Sequence, residues 1–146
     1  MATTTATITL ASADMMDSSL SISNTATLYT AGTNTGISET TGLGRKKFTT
    51  ASNTILLDHG LAGGIAQDVT ADKSAKVYIK NINDRGDGTK YVNILIVTRE
   101  IGRLYGGDWM FFPWCAASGK DIEFTCEQAS GTDSTETTLE YTCFYE

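Results

Sequence analysis

The chain has 146 residues, a formal net charge of −6 and three cysteines, a length that suits a single autonomous core. That acidic balance argues against a phosphate-binding surface, which takes a clustered Lys/Arg excess, and the one dense basic run, Arg45-Lys46-Lys47, reads as a solvated stretch ahead of a strand. No apolar run approaches the roughly 18 residues that cross a bilayer, so neither nucleic acid nor membrane is an expected partner.

The opening Met1-Ala2-Thr3-Thr4-Thr5-Ala6 has no basic region followed by an apolar stretch. It does not read as a secretory leader, and the protein is expected to be made in the cytosol and to stay soluble. Cys115, Cys126 and Cys143 lack the close pairing of a zinc ribbon and the density of a disulfide scaffold. All three read as reduced core residues.

Two compositional zones follow one another, a Thr/Ser-rich N-terminal arm with edge strands over 1–44 and a β core over 45–146. In the first, Thr, Ser, Ala, Gly and Asn dominate and Tyr29 is the one aromatic residue. Thr favours strands because its β-branch restricts χ1, whereas Ser, Asn and Gly loosen the chain. Ala6-Thr7-Ile8-Thr9-Leu10 and Ala26-Thr27-Leu28-Tyr29 echo each other as strands with too little apolar area to hold themselves down. Part of this zone is expected to order against a neighbouring subunit.

In the second zone, Ala75-Lys76-Val77-Tyr78-Ile79-Lys80-Asn81-Ile82 alternates, with Val77 and Ile79 on one face. Asn83-Asp84-Arg85-Gly86-Asp87-Gly88-Thr89 reads as a turn joining it in a hairpin to Tyr91-Val92-Asn93-Ile94-Leu95-Ile96-Val97, a run to be covered on both faces. Gly106-Gly107-Asp108 is another turn. In Asp121-Ile122-Glu123-Phe124-Thr125-Cys126-Glu127 the residues Ile122, Phe124 and Cys126 point inward. After a loop over 130–135, Leu139, Tyr141 and Cys143 share a face of the last strand, and Cys126 and Cys143 are expected side by side. The glycine pair in Leu61–Asp72 costs about 1 kcal/mol per residue in a helix, so that segment reads as loop. About eight strands with frequent turns predict an all-β chain, an antiparallel β-sandwich of jelly-roll type with an extended N-terminal arm.

Chemistry-bearing residues are sparse. His59, the single histidine, sits in Asp58-His59-Gly60 without a nucleophile elbow, and a zinc site with the cysteines would need four distant segments to converge. Asn83, Asp84 and Asp87 offer about half the oxygens a calcium ion takes, at spacings unlike an EF-hand. Arg85-Gly86-Asp87 matches the integrin-ligand tripeptide, a match common by chance in such turns. By count alone Glu123, Glu127 and Glu140 leave a glycosidase pair open, but outward acids on strands are ordinarily solubilising. No metal, cofactor or catalytic residue is expected. The sharpest feature is Trp109-Met110-Phe111-Phe112-Pro113-Trp114, apolar on both strand faces. One face lines the core, and the other is either buried within the monomer or forms a subunit interface through aromatic anchors.

The Thr/Ser/Ala-rich opening, the strand Val77-Tyr78-Ile79-Lys80-Asn81-Ile82 with its Gly/Asp turn, and the passage Ile101-Gly102-Arg103-Leu104-Tyr105-Gly106-Gly107-Asp108-Trp109-Met110-Phe111-Phe112-Pro113-Trp114 resemble small virion structural proteins of tailed bacteriophages. The likeness covers residues 75–146 in motif order and the N-terminal third in composition. It implies a capsid decoration (cement) protein, a homo-oligomer, often a trimer, that binds the major capsid protein on the outer surface of the virion. Trp109, Phe111, Phe112 and Trp114 would then form the oligomer interface, and Thr7, Ile8, Leu10, Leu20 and Ile22 would contact the capsid. Two rival readings stand beside it. One is a tail or fibre protein, including a receptor-binding module; the other is a carbohydrate-binding module or hydrolase with Trp109 or Trp114 as an exposed platform.

Overall fold

The computed structural model describes residues 3–14, 19–30, 32–48, 53–58, 74–86, 90–117, 119–128 and 136–145. Every regular element among them is a strand, and all the strand pairings are antiparallel. The chain forms two compact units, residues 1–38 and 39–146.

The first unit is a ribbon of β1 (Thr5–Ser12) and β2 (Leu20–Thr27), paired without interruption from Thr5↔Thr27 to Ser12↔Leu20. Directly opposed residues share a face. Thr7 and Thr9 therefore lie beside Thr25 and Ser23, and their hydroxyls meet at 2.8 and 3.4 Å. The opposite face carries Ile8, Leu10, Leu20 and Ile22. At the base, Leu28 N–H donates to Thr4 O and Ile37 N–H to Leu28 O, and Leu28 and Ile37 are buried. The two echoing segments of the sequence are thus partners in one ribbon.

The second unit holds two sheets. One has β3 (Glu39–Thr40) and β4 (Gly44–Phe48) along one side of β11 (Thr137–Tyr145), with β6 (Ser74–Asn81) and then β9 (Trp109–Cys115) on the other. The second runs β5 (Thr54–Leu57), β10 (Ile122–Gln128), β7 (Lys90–Ile96), β8 (Arg99–Tyr105). Their inner faces follow the period-two pattern. Val77, Ile79, Leu139, Tyr141 and Cys143 from one sheet pack with Val92, Ile94, Ile122, Phe124 and Cys126 from the other in a single core. Phe48 and Phe124 meet across the layers with ring centroids 4.3 Å apart. On β7 the consecutive residues Val92, Asn93, Ile94 and Leu95 are all buried, as expected of a strand covered on both faces.

The expected hairpin between β6 and β7 is not formed. These strands belong to different sheets, so the Asn83 loop carries the chain across the sandwich. Asn81 decides the crossing. Its Nδ2 donates to Leu104 O at 3.1 Å, its Oδ1 accepts from Asn83 N–H at 3.1 Å, and its backbone bonds Gly107 and Asp108. Asn83 to Gly86 turn the chain here, and a reversal of direction fits a sheet-to-sheet corner as well as a hairpin. The hairpin that does form joins β7 to β8 through Val97 and Thr98, both left-handed at φ 53° and 62°. That is a costly conformation for β-branched residues. The segment 61–72 and the loop 130–135 lie outside the described residues.

Candidate functional site

The sandwich presents an aromatic surface on the outer face of the sheet containing β9. Opposed pairs place Lys80 beside Trp109, Tyr78 beside Phe111 and Lys76 beside Pro113. Trp109 is 47% exposed and its ring lies 6.4 Å from that of Tyr78. Phe111 is half-buried. The alternate residues point inward: Met110 and Phe112 pack against the core, and Trp114 is buried with its indole N–H donated to Lys120 O at 2.7 Å. Trp114 is therefore a core residue, with no surface left for the interface expected of it, and Phe112 is partly buried against the same core. Apolar side chains at both parities left the orientation of β9 undetermined in the sequence; the pairing with β6 sets it.

Beside the aromatic residues, on the same face of the sheet, lies a buried acid. Glu140, read from sequence as solubilising, is 8% exposed. Its Oε2 accepts from Arg45 Nε at 2.6 Å and its Oε1 from Tyr78 O–H at 3.4 Å. Burial, and after it the Glu140 carboxylate, raise the Tyr78 phenol above its ordinary range. Arg45 comes from β4, so the first residue of the basic run neutralises a carboxylate on the adjacent strand. Glu123 lies in the other sheet, where its Oε2 accepts from Asn53 Nδ2 at 3.2 Å. The structure therefore does not bring Glu123 and Glu140 together as a glycosidase pair.

The turn residues serve the fold. Asp84 Oδ1 accepts from Gly86 N–H at 3.0 Å, and Arg85 bonds Gly106 O and pairs with Asp108. Asn83, Asp84, Lys90 and Glu136 line a recess of about 230 Å³. Among the described residues no three His, Cys, Asp or Glu side chains converge as metal ligands. His59 and Asp87 fall outside those residues.

Cys126 and Cys143 are buried in the core, whereas Cys115 is exposed. This corrects the expectation that all three are core residues: Cys115 shares the outward parity of Trp109, opposite Ser74. Burial pushes the Cys143 thiol from 9.0 up to about 12. A thiol reagent is expected to titrate one cysteine in the native protein and all three after unfolding. The folded state keeps the Cys143 proton that the unfolded chain loses near pH 9.0, so this group's contribution is intact below that pH and is lost as pH rises toward 12. Urea midpoints across that window should fall less steeply in Cys143→Ala.

The ribbon is the second uncovered surface. Leu10, Leu20 and Ile22 are 51%, 42% and 49% exposed on one face, with Ile8 half-buried beside them. Thr7 lies on the hydroxyl face. The residues expected to contact a capsid thus divide between opposite sides of the ribbon.

Comparisons with known proteins were made against this geometry. No family model matches the chain, and no curated protein matches it. Among solved structures the chain is similar to one described as "Bacillus endospore appendages form a novel family of disulfide-linked pili", with 16% sequence identity, a TM-score of 0.35, and coverage of 77% of this chain and 95% of that one. At these values the likeness falls short of a common chain path, and nothing said of that protein is carried over to this one.

Proposed function

We propose that the chain is a non-catalytic virion structural protein of the capsid decoration type, acting as a small homo-oligomer against the major capsid protein on the outer surface of a phage shell. The observation that carries this reading is the ribbon, on one face of which Leu10, Leu20 and Ile22 are exposed. Contiguous uncovered apolar surface marks a place of contact. The motif order over residues 75–146 supplies the resemblance to phage structural proteins. Counted from β4 to β11 as eight strands, the sheets run 1-8-3-6, with β3 alongside, and 2-7-4-5. This order supports a jelly-roll reading of the sandwich. Polar groups of the kind that serve chemistry are engaged in the fold: Glu140 with Arg45, Asp84 with Gly86, Arg85 with Asp108. Trp109 and Phe111 then give the sandwich a second contact with neighbouring subunits, made only once copies are held side by side on the shell.

A gold-labelled antibody against the chain, imaged on particles that contain it, is expected to mark the shell. Label on the tail would favour a tail or fibre protein, and particles without label would overturn both readings. A second reading, glycan recognition, is favoured by the half-exposed Trp109 ring beside Tyr78. Because Trp114 is buried, sugar-dependent quenching of tryptophan fluorescence would report on Trp109 and would support that second reading.

A further inference from the structure

Among the described residues the β1–β2 ribbon forms a sheet by itself, and a lone two-stranded ribbon is marginal in water. We propose that its apolar face is closed by the same face of a second copy of this chain, laid head to tail across a two-fold axis. This rests on the homo-oligomeric reading above and names the surface through which the copies meet, in place of contact between that face and the shell.

Charge is the first argument. β1 and β2, with the sequences TATITLAS and LSISNTAT, contain no Asp, Glu, Lys or Arg, whereas the whole chain carries −6. Copies of a charged protein repel one another, and the ribbon is where they can approach without that cost. Its strands also lack the lysines, prolines and bulges that ordinarily blunt sheet edges against self-association. It has no basic group for an anionic lipid surface and no aromatic ring on which a sugar would stack.

Shape supplies the orientation. The face tapers from Leu10, Leu20 and Ile22 at the hairpin end to Ala6 and Ala26 at the base. Head-to-tail packing sets large residues over small ones and fills the layer evenly. A parallel arrangement would stack large on large. Asp14, just past the end of β1 at the bulky end, is likewise sent to opposite ends by the head-to-tail arrangement. Asn24, the polar residue opposite Ile8 near the middle of the face, comes close to its own copy across the axis, where two side-chain amides can bond reciprocally. Such an interface is isologous and closes on itself.

The face is small, about 26 Å long by strand geometry, and falls below the roughly 800 Å² per partner of a standard interface. Association is therefore weak in dilute solution and strengthens where copies are held side by side. In sedimentation equilibrium of the full chain, the mass should climb with concentration from 15.6 kDa toward twice that value. Leu10→Asp combined with Ile22→Asp should hold it at one subunit, and Thr9→Asp on the hydroxyl face should leave the climb unchanged. In a Cys115→Ser background, Asn24→Cys should give a covalent dimer on oxidation and Leu20→Cys should not. A mass fixed at one subunit, a limit of three subunits, a climb indifferent to the paired aspartates, or cross-linking of Leu20→Cys equal to that of Asn24→Cys would each overturn the proposal. If the aspartate variant misfolds, the cysteine pair decides alone. Monomeric protein that still labels the shell sinks this inference and spares the placement on the shell; a dimer absent from particles does the reverse.

Discussion

Phe124→Ala is expected to lower the melting temperature by roughly 10–20 °C, from a loss of about 3–5 kcal/mol. Phe124 has no exposed surface, and its ring stands 4.3 Å from that of Phe48, tilted by 56°. The two rings come from opposite sheets, β10 and β4, so truncation removes apolar burial and opens a void where the layers interlock. Against a typical domain stability of about 5–15 kcal/mol this is a large fraction. Calorimetry is the measurement, with Phe111→Ala as the comparison. Phe111 lies on the outer face of β9 and is half-buried, so its truncation should cost far less. Equal losses would contradict the assignment of inner and outer faces.

Gly106→Ala should be nearly as damaging, at about 3 kcal/mol, the upper part of the range for forced overpacking. A Cβ at this position would stand 2.3 Å from Asp84 O, 2.7 Å from Asp84 C and 2.9 Å from Asn83 O. These are backbone atoms, which cannot swing aside as a side-chain end would. Making room displaces the loop that crosses from β6 to β7, together with the bond from Arg85 Nε to Gly106 O at 3.2 Å. The expected sign in hydrogen exchange is lost protection at Asn81 and Gly107, whose N–H groups bond across this junction. Gly42→Ala has nothing within 4 Å of the new Cβ. It carries only the strain of its φ of 75° and should cost less.

Strands β6, β10 and β11 were legible because one parity of each is apolar and the other polar, so the buried faces Val77/Ile79, Ile122/Phe124/Cys126 and Leu139/Tyr141/Cys143 follow from period two alone. β9 lacks that contrast. Both parities are apolar, and only its register against β6 places Trp109 outside and Trp114 inside. Glu140 was misread because its partner Arg45 is 95 residues away in the chain, beyond any local pattern. The turn at Val97-Thr98 lacks the Asn-Gly signal of a two-residue hairpin. The stronger signal, Asn83 to Thr89, marked a reversal without revealing which strand it would serve. For the candidate surfaces, the aromatic segment and the arm were visible as compositional anomalies. The division of the arm residues between two faces required the β1–β2 pairing.

The placement of β10 and β11 bears on the order of assembly. β10 lies between β5 and β7, and β11 lies between β6 and the pair β3 and β4, yet they are the last two strands in the sequence. Each sheet therefore lacks its middle until residues 122–145 have left the ribosome. Contacts such as Thr40 with Thr142, 102 residues apart, form only after that long delay, as in slow-folding topologies of high contact order. During synthesis the apolar inner faces of β5, β6 and β7 wait without their central partners, and that interval is when the nascent polypeptide has most need of a chaperone's protection.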